Sequence, residues 1–245
     1  MSSTIRKDFV DTFEKLAYKL SPWEVWKDFV VMTSCAFSNT LDKSHYAERE
    51  ALYMDTIKKY NKEEQNLFPQ LLSYTTLVLE ENPDQDFLGD IYTELGLVNK
   101  QHKQIFTPYN VSQLMAEITI DGVAEKVKEK GYVTLEDSCC GAGSTLIAGI
   151  NTVKRILEKQ GLNFQNHLLV AGQDIDLTVG LMCYIQLSLL GVAAYIKIDN
   201  AITNPMASGD TMENYWFTPM YFSEVWKTRR LIQKVEQLFE GGNEK

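Results

Sequence analysis

With 245 residues, 44% of them hydrophobic, the chain has core material for one large domain or two small ones. A net charge of -9 and a pI near 4.9 argue against gripping a polyanion unaided, because phosphate attraction supplies most nonspecific nucleic-acid affinity. No run is apolar enough to span a bilayer, and Cys35, Cys139, Cys140 and Cys183 show neither zinc spacing nor a disulfide framework. A cytoplasmic protein without a membrane partner or a metal is expected.

The first hundred residues predict an α-helical N-terminal domain, with 101–245 as the second unit. Ile5, Phe9, Phe13, Leu16 and Leu20 recur at helical spacing. Ser21-Pro22-Trp23-Glu24 then reads as a helix start: serine as cap, proline in the first turn, glutamate at the third position. Further helices are expected over 43–60 and 62–81, the second interrupted or offset at Pro69. This block carries 11 Lys and Arg against 17 Asp and Glu, so it is the more acidic part. His45 and His102 lack metal-ligand spacing and read as surface residues.

From residue 133 the pattern changes to β-α-β-α-β. The run VTLED ends in Asp137 and opens into Cys139-Cys140-Gly141-Ala142-Gly143, which feeds a helix expected over 144–159. Two glycines allow a tight turn and close approach of a ligand to the free N–H groups of the next helix. A carboxylate at this strand tip repels a pyrophosphate but suits a ligand carrying an ammonium group, which favours S-adenosylmethionine over a dinucleotide. A second apolar strand ends at Asp174, placed to accept hydrogen bonds from ribose hydroxyls, with Ile175 following. An apolar helix comes next, then AAYIKI as a third strand running into Asp199, Asn200 and Ala201. Ligands of parallel sheets sit outside the carboxyl ends of the strands, so Asp137, Asp174 and Asn200 should share one crevice. Asp176 also reads as a helix cap and Asn200 as a turn residue.

Five segments in this order, DFLGDIYTELGL, QIFTPYNVSQLMAEIT, DSCCGAGSTLIAG, GQDIDLTVGLMCYIQLSLLG and IDNAIT, resemble the adenine-N6 DNA methyltransferases of the type I restriction-modification M-subunit group, over roughly residues 86–203. The resemblance implies a truncated Rossmann-like α/β fold with S-adenosylmethionine as cofactor. It places Phe106, Thr107 and Pro108 beside the methionine end, and it matches Asp137, Gly141 and Gly143 to the family's Asp-Pro-Ala-Cys-Gly-Ser-Gly loop. Asp174 becomes the ribose acid and Asn200 the residue meeting the adenine ring. Ser138 and Cys139 stand where the family has proline and alanine, and both are small enough for the loop to close. The resemblance also implies DNA as substrate, reached through a partner or a separate specificity subunit.

The departure is chemical. Adenine's exocyclic amine is a poor nucleophile, and the family answers with an Asn-Pro-Pro-aromatic turn whose acceptors take the amine's hydrogens while the ring stacks on the flipped base. No such tetrad is present. Asn204-Pro205 keeps half of it, although a simple turn explains that pair too. The run 214–222, NYWFTPMYF, offers Tyr215 as an aromatic, or else an aromatic edge strand or a partner patch. Asn204, Pro205 and Tyr215 are the catalytic candidates. After Asn200 only 45 residues remain, so the cofactor half of a methyltransferase sheet is readable and the base-binding half is short or missing.

A final helix, expected over 222–240, carries Lys227, Arg229, Arg230 and Lys234 and a seam of Val225, Trp226, Leu231, Val235 and Leu238. It reads as a solvated face, or as the element of a homo- or hetero-oligomer. Two functions follow: a compact adenine-N6 methyltransferase with a variant or partner-supplied base clamp, or a catalytically inactive cofactor-binding regulatory, decoy or assembly subunit.

Overall fold

The computed structural model describes residues 2–98 and 105–240, with side chains of the last helix described as far as residue 236; His102 and the Leu238 side chain lie outside. Six helices come first: α1 (Ser2–Leu16), α2 (Pro22–Leu41), α3 (Tyr46–Ile57), α4 (Lys62–Gln65), α5 (Leu67–Glu81) and α6 (Phe87–Glu94). Ser21 Oγ accepts from the Glu24 N–H at 3.2 Å, capping α2 as its sequence requires. The expected offset at Pro69 is a break at Asn66. Asn61 and Glu64 close a capping box on α4, and Pro69 falls in the first turn of α5, where no backbone donor is needed. Aromatic side chains of three helices meet edge to face, Phe9 on Phe87 at 5.5 Å and Phe13 on Trp26 at 5.7 Å.

The second part runs α7 (Tyr109–Thr119), α8 (Val123–Lys130), β1 (Val133–Asp137), α9 (Ser144–Glu158), α10 (Phe164–His167), β2 (Leu168–Asp174), α11 (Leu177–Leu189), β3 (Ala193–Ile198), β4 (Tyr215–Phe217) and α12 (Glu224–Glu240). The sheet order is β1-β2-β3-β4, with β1, β2 and β3 parallel and β4 antiparallel to β3. Leu135, Val170 and Ala194 are in register, as are Glu136, Ala171, Tyr195 and Phe217 one residue on. Side chains alternate across a strand, so these rows occupy opposite faces. The Leu135 row faces α9, whose Gly149 lies against Leu135. This is a Rossmann-like α/β fold cut to three parallel strands, and 214–222 resolves into the edge strand β4 followed by a 3-10 turn at Pro219–Phe222.

α11 is apolar on all sides because it is covered on all sides: the sheet lies beneath it and α2 and α6 lie above. Trp26 Nε1 donates to Met182 Sδ at 3.4 Å, and one continuous hydrophobic core runs from Phe9 through Trp26 and Met182 to Ile196. Within that core sits a polar hub. Gln186 Nε2 donates to Asp86 Oδ1 at 2.8 Å and to the Ala142 carbonyl at 2.9 Å, while its Oε1 accepts from the Leu88 N–H at 3.1 Å. Asp86 also caps α6 through the Gly89 N–H at 2.9 Å.

Burial pushes the Asp86 carboxyl up to about 6 against the pull of its hydrogen bonds from Gln186 and Gly89. A carboxyl raised on folding contributes stability that is complete below its unfolded value near 4 and lost as pH rises through 6. Asp86→Asn keeps an acceptor for both donors and carries no charge. It should therefore stabilise the protein by about 1 to 2 kcal/mol at pH 8 and give no gain at pH 4.5. Urea melts at both pH values check this, and an equal effect at the two would refute it.

His45 is not the surface residue its sequence context suggests. Its Nδ1 pairs with Asp42 Oδ2 at 2.7 Å and its Nε2 with the Met212 carbonyl at 3.0 Å, in a clamp joining α3 to the approach to β4. Its spacing gave no hint of this because the second partner is 167 residues away. The seam expected on α12 also differs: Trp226 is buried, but Val225, Leu231 and Val235 are exposed.

Candidate cofactor site

The crevice is built from the loop after β1. Asp137 Oδ1 accepts from the Cys139 N–H at 2.9 Å, and its Oδ2 takes the Thr145 hydroxyl hydrogen, so the strand-tip carboxylate holds the loop to the first turn of α9. Gly141 and Gly143 have φ of +53° and +100°, the left-handed region that glycine enters freely. A Cβ on Gly143 would also stand 2.8 Å from Cys183 Sγ, so glycine is required there twice over. No side chain caps α9, which leaves its first-turn N–H groups to the crevice. The adjacent cysteines divide: Cys139 is exposed on the loop, while Cys140 is buried, its thiol held well above the ordinary range by a hydrogen bond to Cys183 and by burial.

Asp174, at the tip of β2, meets this loop directly. Its Oδ2 accepts from the Gly141 N–H at 2.9 Å and its Oδ1 from the Asp176 N–H at 2.9 Å. Burial raises its carboxyl above the ordinary value. Each oxygen keeps a further lone pair for a hydroxyl donor. Ile175 beside it is 69% exposed, an apolar side chain left open at the rim. Asp176 caps α11 through the Thr178 N–H at 2.8 Å. Asp199, after β3, joins the same rim, its N–H donating to the Asp174 carbonyl at 2.9 Å. Asn200 Oδ1 accepts from the Ile202 and Thr203 N–H groups at 2.9 and 3.2 Å, so it shapes the turn carrying half-buried Ala201.

The Phe106-Thr107-Pro108 segment arrives from the other side. The Phe106 ring lies over Gly141, 3.6 Å from where a Cβ would be, and packs on Tyr92 at 5.8 Å. The Thr107 carbonyl accepts from Ser144 Oγ at 3.1 Å, and Pro108 stands at the N-cap position of α7. The structure thus gathers Phe106, Thr107, Asp137, Cys139, Gly141, Gly143, Asp174 and Ile175 around one loop, with Asn200 and Ala201 one strand further along.

Asn204, Pro205 and Tyr215 gather elsewhere, around Lys197 and Asp210. Lys197 Nζ donates to Asp210 Oδ2 at 2.6 Å, to the Pro205 carbonyl at 3.1 Å and to Asn204 Oδ1 at 3.3 Å. Tyr215 is buried and its hydroxyl donates to the same Asp210 oxygen at 2.5 Å, while Asn204 Nδ2 donates to Asp199 Oδ2 at 2.8 Å. Lys197 and Tyr215 hold Asp210 down at about 2. Two residues unforeseen from sequence support the crevice: Gln186, which fixes the loop through Ala142, and Gln173, which donates to the Asp199 and Asn204 carbonyls at 3.2 and 2.9 Å. Their signal was a glutamine inside an otherwise apolar run, since a buried amide needs partners.

S-adenosylmethionine fits these residues. The close-approach glycine loop and uncapped helix start suit its amino-acid portion, Asp174 its ribose hydroxyls, and open Ile175 an apolar ring face. Nothing in the loop is basic, as a pyrophosphate would ask.

The family comparison agrees. The N-6 DNA methylase family model matches residues 83–243, well over half of the chain. No curated protein matches in sequence. A solved structure described as a class I S-adenosylmethionine-dependent methyltransferase of Listeria monocytogenes aligns over 95% of this chain and 79% of its own, at 15% identity and a TM-score of 0.42. With the loop, the acids and the family match together, the chain belongs to the N-6 DNA methylase family of S-adenosylmethionine-dependent methyltransferases.

Proposed function

We propose that this protein is the cofactor-holding modification component of a restriction-modification-type system, acting in the cytoplasm and directing S-adenosylmethionine to adenine N6 in DNA. The observation that carries it is the seating of Phe106 and Thr107 on the Gly141–Ser144 loop opposite Asp174. The cofactor, when bound, supplies an electrophilic methyl on sulfur. In this reading Phe106, Thr107 and Pro108 border that sulfur, Asp137, Cys139, Gly141 and Gly143 form the cradle, Asp174 and Ile175 take ribose and base, and Asn200 with Ala201 closes the rim. Residues 1–100 serve as the helical domain that helps enclose DNA, and 101–245 as the cofactor domain.

A partner-supplied base clamp is favoured over one built on Asn204, Pro205 and Tyr215. Both polar ends of the Asn204 amide are engaged and Tyr215 is buried, so neither is presented to a base. By contrast the outer edge of β1 is unpaired among the described residues. α7, packed on the α9 helix that covers β1, exposes Val111, Leu114, Met115 and Ile118, one helical stripe. An open strand edge and an uncovered apolar stripe are where a further strand with its own cover adds to a sheet. The net charge of -9 favours the same view, since a partner then brings the phosphate contacts.

Radiolabelled methyl transfer to unmethylated DNA, with neighbouring gene products added or omitted, tests this. Label that depends on the added product and vanishes with Asp174→Ala is expected. Retained cofactor binding with no label under any condition would favour the second reading, a catalytically inactive regulatory, decoy or assembly subunit, which the engaged Asn204 and Tyr215 side chains support.

A further inference from the structure

On the sheet face turned away from α9 lies a cavity of about 620 Å³, between the Glu136–Tyr195–Phe217 row and α12. Its floor is aromatic. Phe217 and Tyr221 stack at 4.7 Å, and Tyr195 meets Tyr221 at 6.1 Å. Its wall is cationic, with Arg229, Arg230 and Lys234 all lining it from α12.

Among the described residues no carboxylate stands within ion-pair distance of any of the three, although the chain as a whole is strongly acidic. Both arginines are half-buried. Arg230 donates to the Tyr221 carbonyl at 2.7 Å and its guanidinium lies 3.9 Å over the Tyr221 ring; Arg229 donates to the Asn166 carbonyl at 3.0 Å, and its Nε is buried without a partner. Neutral carbonyls position a guanidinium and leave its charge uncompensated. Burial accordingly lowers the Arg230 pKa. An anion entering the cavity would relieve that cost. Glu136, on the opposite wall, sets a direction: it repels an anion and accepts from an amine.

We propose that this cavity is a second nucleotide site, separate from the cofactor crevice, which takes a nucleoside monophosphate unit. Its base lies against the half-buried Tyr195 and Tyr221 rings with an exocyclic amine toward Glu136, and its phosphate meets Arg229, Arg230 and Lys234. Aromatic rings alternating with basic side chains are how proteins hold unpaired bases, and the ligand is either a free nucleotide or one residue of a single strand.

Two probes separate these sources: 2′-deoxyadenosine monophosphate by calorimetry, and a fluorescein-labelled 12-nucleotide deoxyadenosine strand by anisotropy. Binding of both with similar affinity identifies a free-nucleotide site; much tighter binding of the strand identifies single-stranded DNA. In either case Arg230→Gln should weaken binding about tenfold or more, the scale of one charge-assisted contact. Lys234→Glu, on an exposed side chain that no packing depends on, should weaken it by about as much. S-adenosylmethionine affinity should stay within about twofold in both variants. The proposal falls if folded wild type binds neither probe, if both variants bind like wild type, or if S-adenosylmethionine competes with the probes.

Discussion

Replacing Arg49 by alanine should lower the stability of the protein by about 3 to 5 kcal/mol, the scale of leaving a buried charge without its partner. The Arg49 guanidinium is buried and holds three hydrogen-bond partners. It donates to the Ser38 hydroxyl, to Asp42 Oδ2 at 2.9 Å and to the Tyr215 carbonyl at 2.6 Å, and its face lies 3.9 Å over Trp216. One side chain therefore ties α2 and α3 to β4, the three-residue strand that pairs with β3 at the edge of the sheet. Burial works to raise the Asp42 carboxyl, but the bonds from Ser44 and His45 and the charge of Arg49 hold it below its ordinary value. A depressed carboxyl contributes stability that is present above its unfolded value and is lost as pH falls through the folded one. The penalty of Arg49→Ala should thus be largest near neutrality and shrink in acid. Urea unfolding of wild type and variant at pH 7 is the measurement, and a change under about 1 kcal/mol would show that the clamp is ornamental.

Asp174→Ala should weaken S-adenosylmethionine binding by about 1.5 to 3 kcal/mol, the scale of hydrogen bonds to a charged acceptor. Two losses combine in it. On the proposed reading the ribose hydroxyls lose their acceptor, and the Gly141 and Asp176 N–H groups lose the oxygens that hold the loop in place. Asp174→Asn keeps one acceptor and should fall between wild type and alanine. Because burial raises the Asp174 carboxyl, and on the proposed reading the ionised form holds the ligand, affinity should drop as pH falls toward that raised value. Calorimetry across pH 5 to 8 reads both effects. Unchanged affinity in the alanine variant would remove Asp174 from the site.

The loop was legible because its requirements are local. Gly141 and Gly143 announce left-handed backbone, Asp137 and Asp174 end apolar runs, and the helix at 144 follows within the same stretch of chain. Position along the chain was enough to put these groups at adjacent strand tips, since right-handed crossovers leave a β-α-β-α-β run few alternatives. The catalytic candidates were harder. Asn204 and Tyr215 have suitable chemistry, and only the folded structure shows them committed to Asp199 and Asp210.

What the amino-acid order determined by itself was the glycine loop with its flanking acids, the helical first block and the parallel core, because turn chemistry and hydrophobic period act over a few residues. Tertiary structure alone decided the rest. It drew His45 and Arg49 into a clamp with β4 and its approach, turned Gln186 into the hub behind the glycine loop, and left the α12 arginines against aromatic rings with no carboxylate in ion-pair range among the described residues. These contacts join residues up to 167 positions apart, and a side chain's charge carries no information about which distant partner will come to meet it.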